Sequence, residues 1–213
     1  LFRSGLSPLS ADHLRMVQRM ADCARSGGRF ANAVYRGFGK TSVALGMAIW
    51  AVLYGRRKFI LLLGSRAQHA NKMMQRLQTE FYNNDLLLED FPEVCYPVRM
   101  LEGINNRVNG QTLDGERTRI SWTDKEVQLP RVPGAASAGV VVRVAGITGS
   151  IRGASVMIDG AKVRPDLVIV DDPQTDDSAR SPSQVLTREN VLNGAVLGLA
   201  GPGKRIAVIM PCT

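Results

Sequence analysis

The sequence predicts an α/β fold built on a mostly parallel sheet, with helices on both faces of that sheet. Two observations support this prediction. Residues 29–82 alternate short apolar runs with longer segments of helical periodicity, in the order strand, helix, strand, helix, and strands joined by helices pair in parallel. Farther along, an apolar run begins at Asp166 and ends in two adjacent acids, Asp171 and Asp172, as a buried strand does when it stops at a polar site.

The elements of the first half follow from local patterns. Apolar residues at helical spacing, with Ser10 as N-cap and two glycines at the end, predict a first helix over residues 10–25. Residues 1–9 are predicted to be an irregular lead-in. The next four predicted elements are a strand over 29–35, a helix over 41–54, a strand covered on both faces over 58–64, and a helix over 65–82.

The second half is less regular. Alternating residues predict a β-hairpin, inserted near 117–129, and residues 99–107 favour a helix after the breaks at Pro92 and Pro97. The Gly-rich segment 146–153 is predicted to be a mobile loop. The remaining predicted elements are strands over 140–145, 166–171 and 204–210, a helix over 181–199, and a turn at 201–203.

Length and composition limit the classes of protein. A chain of 213 residues buries a sizeable core and is expected to form one domain. Its longest apolar run, 43–54, is too short to span a bilayer. The three cysteines are far apart and the two histidines have no partner at ligand spacing, so neither a disulfide framework nor a zinc site is expected. The chain does not begin with Met, and we expect it to be a fragment.

The charge is uneven along the chain. Residues 1–82 carry 13 Lys and Arg against 3 Asp and Glu, a balance of +10, whereas residues 83–213 carry 14 against 16, a balance of −2. A basic surface favours a polyanionic partner such as nucleic acid. A solvated basic face without a partner explains the same numbers.

A glycine loop, residues 34–41, connects the predicted strand and helix, and it ends in Gly39-Lys40-Thr41. Backbone N–H groups at such a junction form an anion nest, and the helix dipole adds to it. Lys40 would reach the β- and γ-phosphates of a nucleotide, and the Thr41 hydroxyl would ligate Mg²⁺. The full pattern has glycine where this chain has Val34, so an ordinary glycine turn with a surface lysine is the alternative.

The two acids complement this loop. Parallel strands present their carboxyl ends at one edge of the sheet, so Asp171 is positioned to hold Mg²⁺ and Asp172 to orient or deprotonate a water. A strand that simply ends in an acidic turn is the alternative. Arg36 is expected to contact the γ-phosphate or the two acids, or else to shape the loop. Arg152 is expected to act as an arginine finger toward a neighbouring subunit, or else to be solvated.

These segments together resemble the ATPase domain of a tailed-phage terminase large subunit. Residues 36–41 are similar to the family's variant phosphate loop, which keeps an Arg and often lacks the first Gly. Residues 164–172, with the loop 149–153 before them, resemble the strand that carries the metal-binding acid, called Walker B. Residues 209–213 resemble the coupling motif, in which Thr213 would link hydrolysis to DNA movement.

The resemblance implies an ASCE-type P-loop NTPase that extends over residues 1–213. It implies ATP and Mg²⁺ as cofactors, and double-stranded DNA, a terminase small subunit, a portal protein and further copies in a ring as partners, with no membrane. The location would be the cytoplasm of a bacterial host, with a phage or prophage gene. The implied site comprises the nucleotide-binding residues Arg36, Gly37, Phe38, Gly39, Lys40, Thr41 and Ser42, the metal-binding residues Thr41 and Asp171, the catalytic residues Asp172, Arg36, Lys40 and Arg152, and the coupling residue Thr213.

Two departures from the family keep other interpretations open. Asp172 replaces the family's usual catalytic Glu and is one methylene shorter. The chain also ends at the coupling motif, so no nuclease domain is expected within it. A helicase-like, nucleic-acid-dependent ATPase and a nucleotide-binding regulatory module with little hydrolysis are the alternatives.

Overall fold

A computed structural model describes residues 9–149, 151–199, 201 and 203–213 of the chain. All of the predicted lead-in except Leu9 lies outside these residues. So do Ser150 of the predicted Gly-rich loop and Pro202 of the turn predicted at 201–203.

The described helices in chain order are α1 (Ala11–Ser26), α2 (Lys40–Leu53), α3 (Ala67–Asn83), α4 (Asp85–Asp90), α5 (Pro92–Arg99), α6 (Asp176–Ala179) and α7 (Pro182–Asn190). A stretch of π-helix, Val191–Val196, continues α7. The backbone N–H of Leu197 there donates to the carbonyl of Leu192, five residues earlier, at 3.2 Å. None of the described helices is both long and apolar enough to cross a membrane.

The described strands are β1 (Gly28–Ala33), β2 (Phe59–Gly64), β3 (Thr112–Leu113), β4 (Glu116–Arg117), β5 (Ser121–Trp122), β6 (Glu126–Gln128), β7 (Val141–Gly146), β8 (Val156–Ile158), β9 (Ala161–Val163), β10 (Leu167–Asp171) and β11 (Ala207–Cys212). Seven of them form one sheet in the order β1-β11-β10-β2-β7-β6-β5. The first five strands of that order run parallel, and the last two pair antiparallel. The predicted mostly parallel α/β fold is confirmed.

Local chemistry explains the first helix. The Ser10 hydroxyl accepts a hydrogen bond from the backbone N–H of His13 at 3.3 Å, which satisfies one of the free donors at the start of α1. Gly27 ends the helix at φ +73°, and its N–H donates to the carbonyl of Cys23. The prediction of this helix is therefore correct to within one residue at each end.

Helices cover both faces of the sheet, as predicted, but unequally. On one face, side chains such as Ile60, Leu62 and Ile169 are buried in one core together with residues of α1, α2 and α3. On the other face, the alternate side chains of β2 and β10 pack against the π-helical stretch and Leu199. Loop residue Ile147 completes this second, smaller core.

The predicted hairpin forms, and it belongs to the main sheet. β5 and β6 pair antiparallel around a turn in which the Thr123 hydroxyl accepts from the backbone N–H of Glu126 at 3.0 Å. β6 then pairs with β7, so the hairpin extends the sheet at its edge. The first predicted arm is shorter than expected because Glu116–Arg117 pairs with Thr112–Leu113 in a separate two-stranded unit.

The helix predicted over 99–107 is wrong as a continuous helix, although a short 3-10 helix, Asn105–Val108, overlaps its end. α5 ends at Arg99, and Glu102 and Gly103 have φ values of +48° and +73°. A right-handed helix cannot contain two such residues. The helix predicted over 181–199 is correct as far as Asn190, after which the π-helical stretch begins.

Asp166 links the starts of two neighbouring strands. Its carboxylate accepts hydrogen bonds from the backbone N–H groups of Lys58 at 2.9 Å and Phe59 at 3.0 Å. Burial raises the pKa of Asp166, whereas the two hydrogen bonds lower it. These contacts align β10 with β2, and thereby set the level at which the acids at the far end of β10 emerge.

Candidate functional site

The glycine loop leaves β1 at Ala33 and enters α2 at Lys40. Gly37 and Gly39 have φ values of +87° and +83°, a region that L side chains rarely adopt. Among the described residues, none except the chain neighbours of Gly37 has a heavy atom within 4 Å of the position that its Cβ would take. Within the described part of the chain no side chain caps α2, so the loop presents open backbone at a helix N-terminus.

Phe38 fixes the loop from its outer side. Its ring is buried and stacks on the ring of His13, with the centroids 4.2 Å apart. Its carbonyl lies 2.8 Å from His13 Nε2, which must be the donor because a carbonyl oxygen only accepts. The Phe38 side chain is not among the residues that line the cavity described below, so only its backbone remains available to a phosphate.

Lys40 and Thr41 meet the two acids at the end of β10. The Lys40 side chain is buried, and its Nζ lies 3.2 Å from Asp172 Oδ2. The Thr41 hydroxyl donates to Asp171 Oδ2 at 2.8 Å. The parallel sheet brings these residues together because β1 and β10 both end at the same edge, with β11 between them.

Asp171 is a buried carboxylate with one oxygen saturated and the other free. Its relative exposure is 0%, and Oδ2 lies 3.2 Å from His69 Nε2 in addition to its bond with Thr41. Asp171 Oδ1 has no hydrogen-bond partner among the described residues. An unpartnered buried carboxylate oxygen is costly, and a cation would compensate for it.

Asp172 has different contacts on its two oxygens. Oδ1 accepts from the backbone N–H and from the hydroxyl of Thr213, both at 2.9 Å, whereas Oδ2 faces Lys40. Its own N–H donates to the carbonyl of Pro211 at 3.0 Å, and its φ is +41°. Asp172 therefore joins the glycine loop to the end of β11.

A cavity of about 800 Å³ lies at this edge of the sheet. That size is typical of small-molecule sites. Its polar wall includes Gly37, Lys40, His69, Asp172 and Thr213. Apolar side chains from α7, the π-helical stretch and β11 also line the cavity, among them Val185, Leu192, Met210 and Cys212.

Three of the predicted site residues lie outside the cluster that Lys40, Thr41, Asp171 and Asp172 form. Arg36 lines the cavity, but its guanidinium donates to Asp176 Oδ1 at 2.6 Å, so the expected contact with Asp171 and Asp172 is not formed. Both side chains of this ion pair are exposed to solvent. Ser42 and Arg152 are exposed and are not among the residues that line the cavity.

The residues present fit a magnesium ion held with a substrate. No three His, Cys, Asp or Glu side chains among the described residues converge to hold a metal by themselves. Mg²⁺ typically binds through one or two carboxylates together with substrate phosphates and water. Asp171 with its free Oδ1, next to the Thr41 hydroxyl, provides such a partial ligand set.

Sequence reasoning missed the positions of His69 and Asp176. His69 has no partner at ligand spacing in the sequence, yet it contacts Asp171. The available signal was its place just after β2, because β2 and β10 are neighbours that end at the same edge. The Arg36–Asp176 pair joins residues 140 positions apart, and no local pattern indicates it.

The order of the sheet and the site at its carboxyl edge define the class of fold. An additional strand, β11, lies between the strand that precedes the glycine loop and the strand that ends in the acids. This is the ASCE arrangement of the P-loop α/β fold.

Comparisons with known proteins give matches at the level of structure. No family model matches the chain, and no curated protein matches its sequence. The ATPase domain of the Thermus phage P74-26 large terminase matches 96% of this chain and 69% of its own, at 16% identity and a TM-score of 0.45. A point mutant of that domain has 14% identity and a TM-score of 0.44.

The Phi-28 gp11 DNA packaging motor is a third similar structure. It covers 92% of this chain at 13% identity and a TM-score of 0.47, and this chain spans 48% of its length. The chain is thus similar in structure, over nearly all of its length, to phage large-terminase ATPase domains and to a packaging motor.

Proposed function

We propose that this chain is an ATP-hydrolysing motor domain. The observation that supports this proposal best is the convergence of Lys40, Thr41, Asp171 and Asp172, with Lys40 and Asp172 lining the cavity and Thr41 bound to the buried Asp171 behind them. A buried lysine, a hydroxyl beside a carboxylate with a free oxygen, and an open glycine loop are the groups that phosphoryl transfer requires.

The residues divide the work as follows. The open backbone at Gly37 and the start of α2 bind the phosphates, and Lys40 neutralises their charge. Thr41 and Asp171 would hold Mg²⁺, which when bound would neutralise charge on the reacting phosphoryl group. His69 contacts Asp171 Oδ2, which leaves Oδ1 without a partner among the described residues and available as a metal ligand.

Asp172 is the proposed water-positioning residue. Its Oδ2 is near Lys40, and it becomes available when Lys40 turns to a phosphate. Thr213 donates two hydrogen bonds to the other oxygen, so Asp172 stays joined to the end of β11 when Lys40 moves. A shorter acid is compatible with this role because Thr213 anchors it.

The packaging role rests on the terminase-like motifs at residues 36–41, 164–172 and 209–213. On this proposal, residues 1–213 form one motor domain that moves double-stranded DNA into a procapsid. It would act in a ring of copies, with a small subunit and a portal as partners, in the cytoplasm of the host. Arg152, exposed on the loop after β7, would reach the site of a neighbouring copy.

The test is a measurement of nucleotide binding and of phosphate release with and without Mg²⁺. We expect Mg²⁺-dependent turnover that is lost in Lys40→Ala and in Asp171→Ala. Asp172→Asn should bind nucleotide and fail to hydrolyse it; Asn also tolerates a positive φ, so the backbone there is conserved.

Unchanged turnover in Lys40→Ala would contradict the proposal. Binding without turnover in the unsubstituted chain, both alone and with DNA, would favour the regulatory module. Loss of binding and of turnover together in Asp172→Asn would assign the water-positioning role to another residue.

A further inference from the structure

A strongly basic surface lies at the end of the sheet opposite the cavity. It surrounds the C-terminal end of α1 and the amino ends of β1, β2 and β11. We call it the basic surface, and it consists of Arg19, Arg25, Arg29, Arg56, Arg57, Lys204 and Arg205. All of these side chains are exposed except Arg57, which is half-buried.

Four of these cations line two adjacent grooves. One groove, of about 490 Å³, is lined by Arg29, Lys204 and Arg205 and by no acid. The other, of about 410 Å³, is lined by Arg19 and Arg29 and by one acid, Asp22. Arg29 lines both grooves, so the positive charge is continuous from α1 to the start of β11.

The remaining cations are ordered by their neighbours. The guanidinium groups of Arg25 and Arg56 lie 5.1 and 5.9 Å from the centroid of the Trp50 ring. Arg57 Nε donates to the carbonyl of Ala24 at 2.7 Å. Cations at a helix C-terminus are also favoured by the helix dipole, which supports their clustering at the end of α1.

Little of this charge is paired within the described residues, although Arg57 acts on the Asp166 carboxylate, where its charge opposes the rise in pKa that burial causes. Arg25 pairs with Asp22 at 3.3 Å, across an exposed contact that contributes little. Arg19, Arg29, Arg56, Arg57, Lys204 and Arg205 form no ion pair with any residue that the structure describes. Like charges held this close repel one another, so an anionic partner would be stabilised here.

We infer that the basic surface binds the phosphate backbone of double-stranded DNA. Its cations are spread over two grooves and do not converge in one pocket, which suits a repeating polyanion better than a single phosphate. The choice of duplex DNA among polyanions rests on the proposed function. Contacts to phosphates carry no sequence information, so binding here is independent of sequence.

The test uses a fluorescently labelled 20-base-pair duplex, measured by anisotropy without nucleotide over a series of salt concentrations. The slope of log affinity against log salt is negative. In Arg29→Glu/Arg205→Glu we expect its magnitude to decrease by about 2, since each phosphate contact contributes about one. The matched control is Lys125→Glu/Lys162→Glu, which changes the net charge equally at exposed positions on β-hairpins elsewhere. The control should keep the slope of the unsubstituted chain.

Equal affinity and equal slope in the two double variants would overturn the inference. The inference would also be overturned if Arg29→Glu/Arg205→Glu lost binding to polyglutamate or to single-stranded RNA but bound duplex DNA as the unsubstituted chain does. The surface would then bind a different polyanion. The Arg29→Glu/Arg205→Glu variant should hydrolyse ATP without DNA as the unsubstituted chain does and should lose stimulation by DNA. An inactive ATPase with intact DNA binding would instead reject the proposed function alone.

Discussion

Thr213 donates two hydrogen bonds to a single oxygen of Asp172, from its backbone N–H and from its hydroxyl, each at 2.9 Å. The other oxygen of Asp172 faces Lys40 at 3.2 Å. The end of β11 is therefore connected to the glycine loop through one carboxylate. A change in the contacts of Lys40 would be transmitted to Thr213 by this route.

This contact predicts the effect of removing the Thr213 hydroxyl. Thr213→Ala should bind nucleotide as before but should lose on the order of tenfold in DNA-stimulated turnover, because Asp172 loses a donor to its charged oxygen. Thr213→Ser keeps that donor and is the control. Steady-state phosphate release measures the effect, and equal turnover in Ala and Ser variants would show that the hydroxyl is dispensable.

His69 is predicted to position Asp171 for the metal. In His69→Ala the Mg²⁺ concentration for half-maximal nucleotide binding should rise on the order of tenfold, since contacts behind a metal ligand typically tune affinity to that extent. His69→Gln, which retains an N–H donor, should recover part of this loss. A fluorescent nucleotide titrated with Mg²⁺ gives the readout. A purely structural role would alter thermal stability in both variants and leave the Mg²⁺ requirement unchanged.

Cys212 provides a probe of the cavity, because the other two cysteines are buried elsewhere. Cys23 and Cys95 are buried, and burial raises the pKa of Cys95 to about 11, so neither should react rapidly in the folded protein. Cys212 is half-buried in the cavity wall, and burial followed by the charge of Asp172 raises the pKa of its thiol. Labelling with a chromogenic disulfide should therefore be slow at neutral pH and should accelerate about tenfold per pH unit until the thiolate predominates.

The labelled site should be protected by nucleotide. Mg-ATP is expected to slow the labelling of Cys212 further, and Cys212→Ser should abolish this labelling. An undiminished rate at saturating nucleotide would place the nucleotide away from this wall of the cavity.

Gly55 is predicted to be essential for the packing of α2 on the segment before β7. Its φ is +57°, and a Cβ there would lie 2.2 Å from the carbonyl oxygen of Ala136. Gly103 has a similar φ of +73°, but no heavy atom of the described residues, apart from its chain neighbours, lies within 4 Å of the Cβ position. Both substitutions to Ala should cost about 1–2 kcal/mol for the backbone conformation.

Gly55→Ala should lower the free energy of unfolding further than Gly103→Ala does. The atom that the new Cβ meets is a backbone oxygen, which cannot rotate away, so the packing around it is disrupted. Urea unfolding of the two variants isolates this difference. Equal free energies of unfolding for Gly55→Ala and Gly103→Ala would show that the segment around Ala136 moves freely.

Local chemistry made much of the fold predictable. The Ser10 cap, the alternation of apolar runs in 29–82 and the acids after β10 are all visible within a few residues. The helix over 99–107 was mispredicted because the positive φ values at Glu102 and Gly103 depend on packing. Apolar periodicity alone contains no signal for them.

The sequence by itself determined the parallel α/β fold and which segments end at the carboxyl edge of its sheet, because strand ends follow from short-range patterns and strands joined by helices pair in parallel. The order of the strands was decided by the tertiary structure. Tertiary structure alone decided how the side chains at that edge pair. It placed His69 on Asp171, Thr213 on Asp172 and Arg36 on Asp176, the last pair joining residues 140 positions apart. It also gathered cations from four separate segments into one basic surface. Contacts of this kind depend on the position of every strand in the sheet, and no local pattern specifies them.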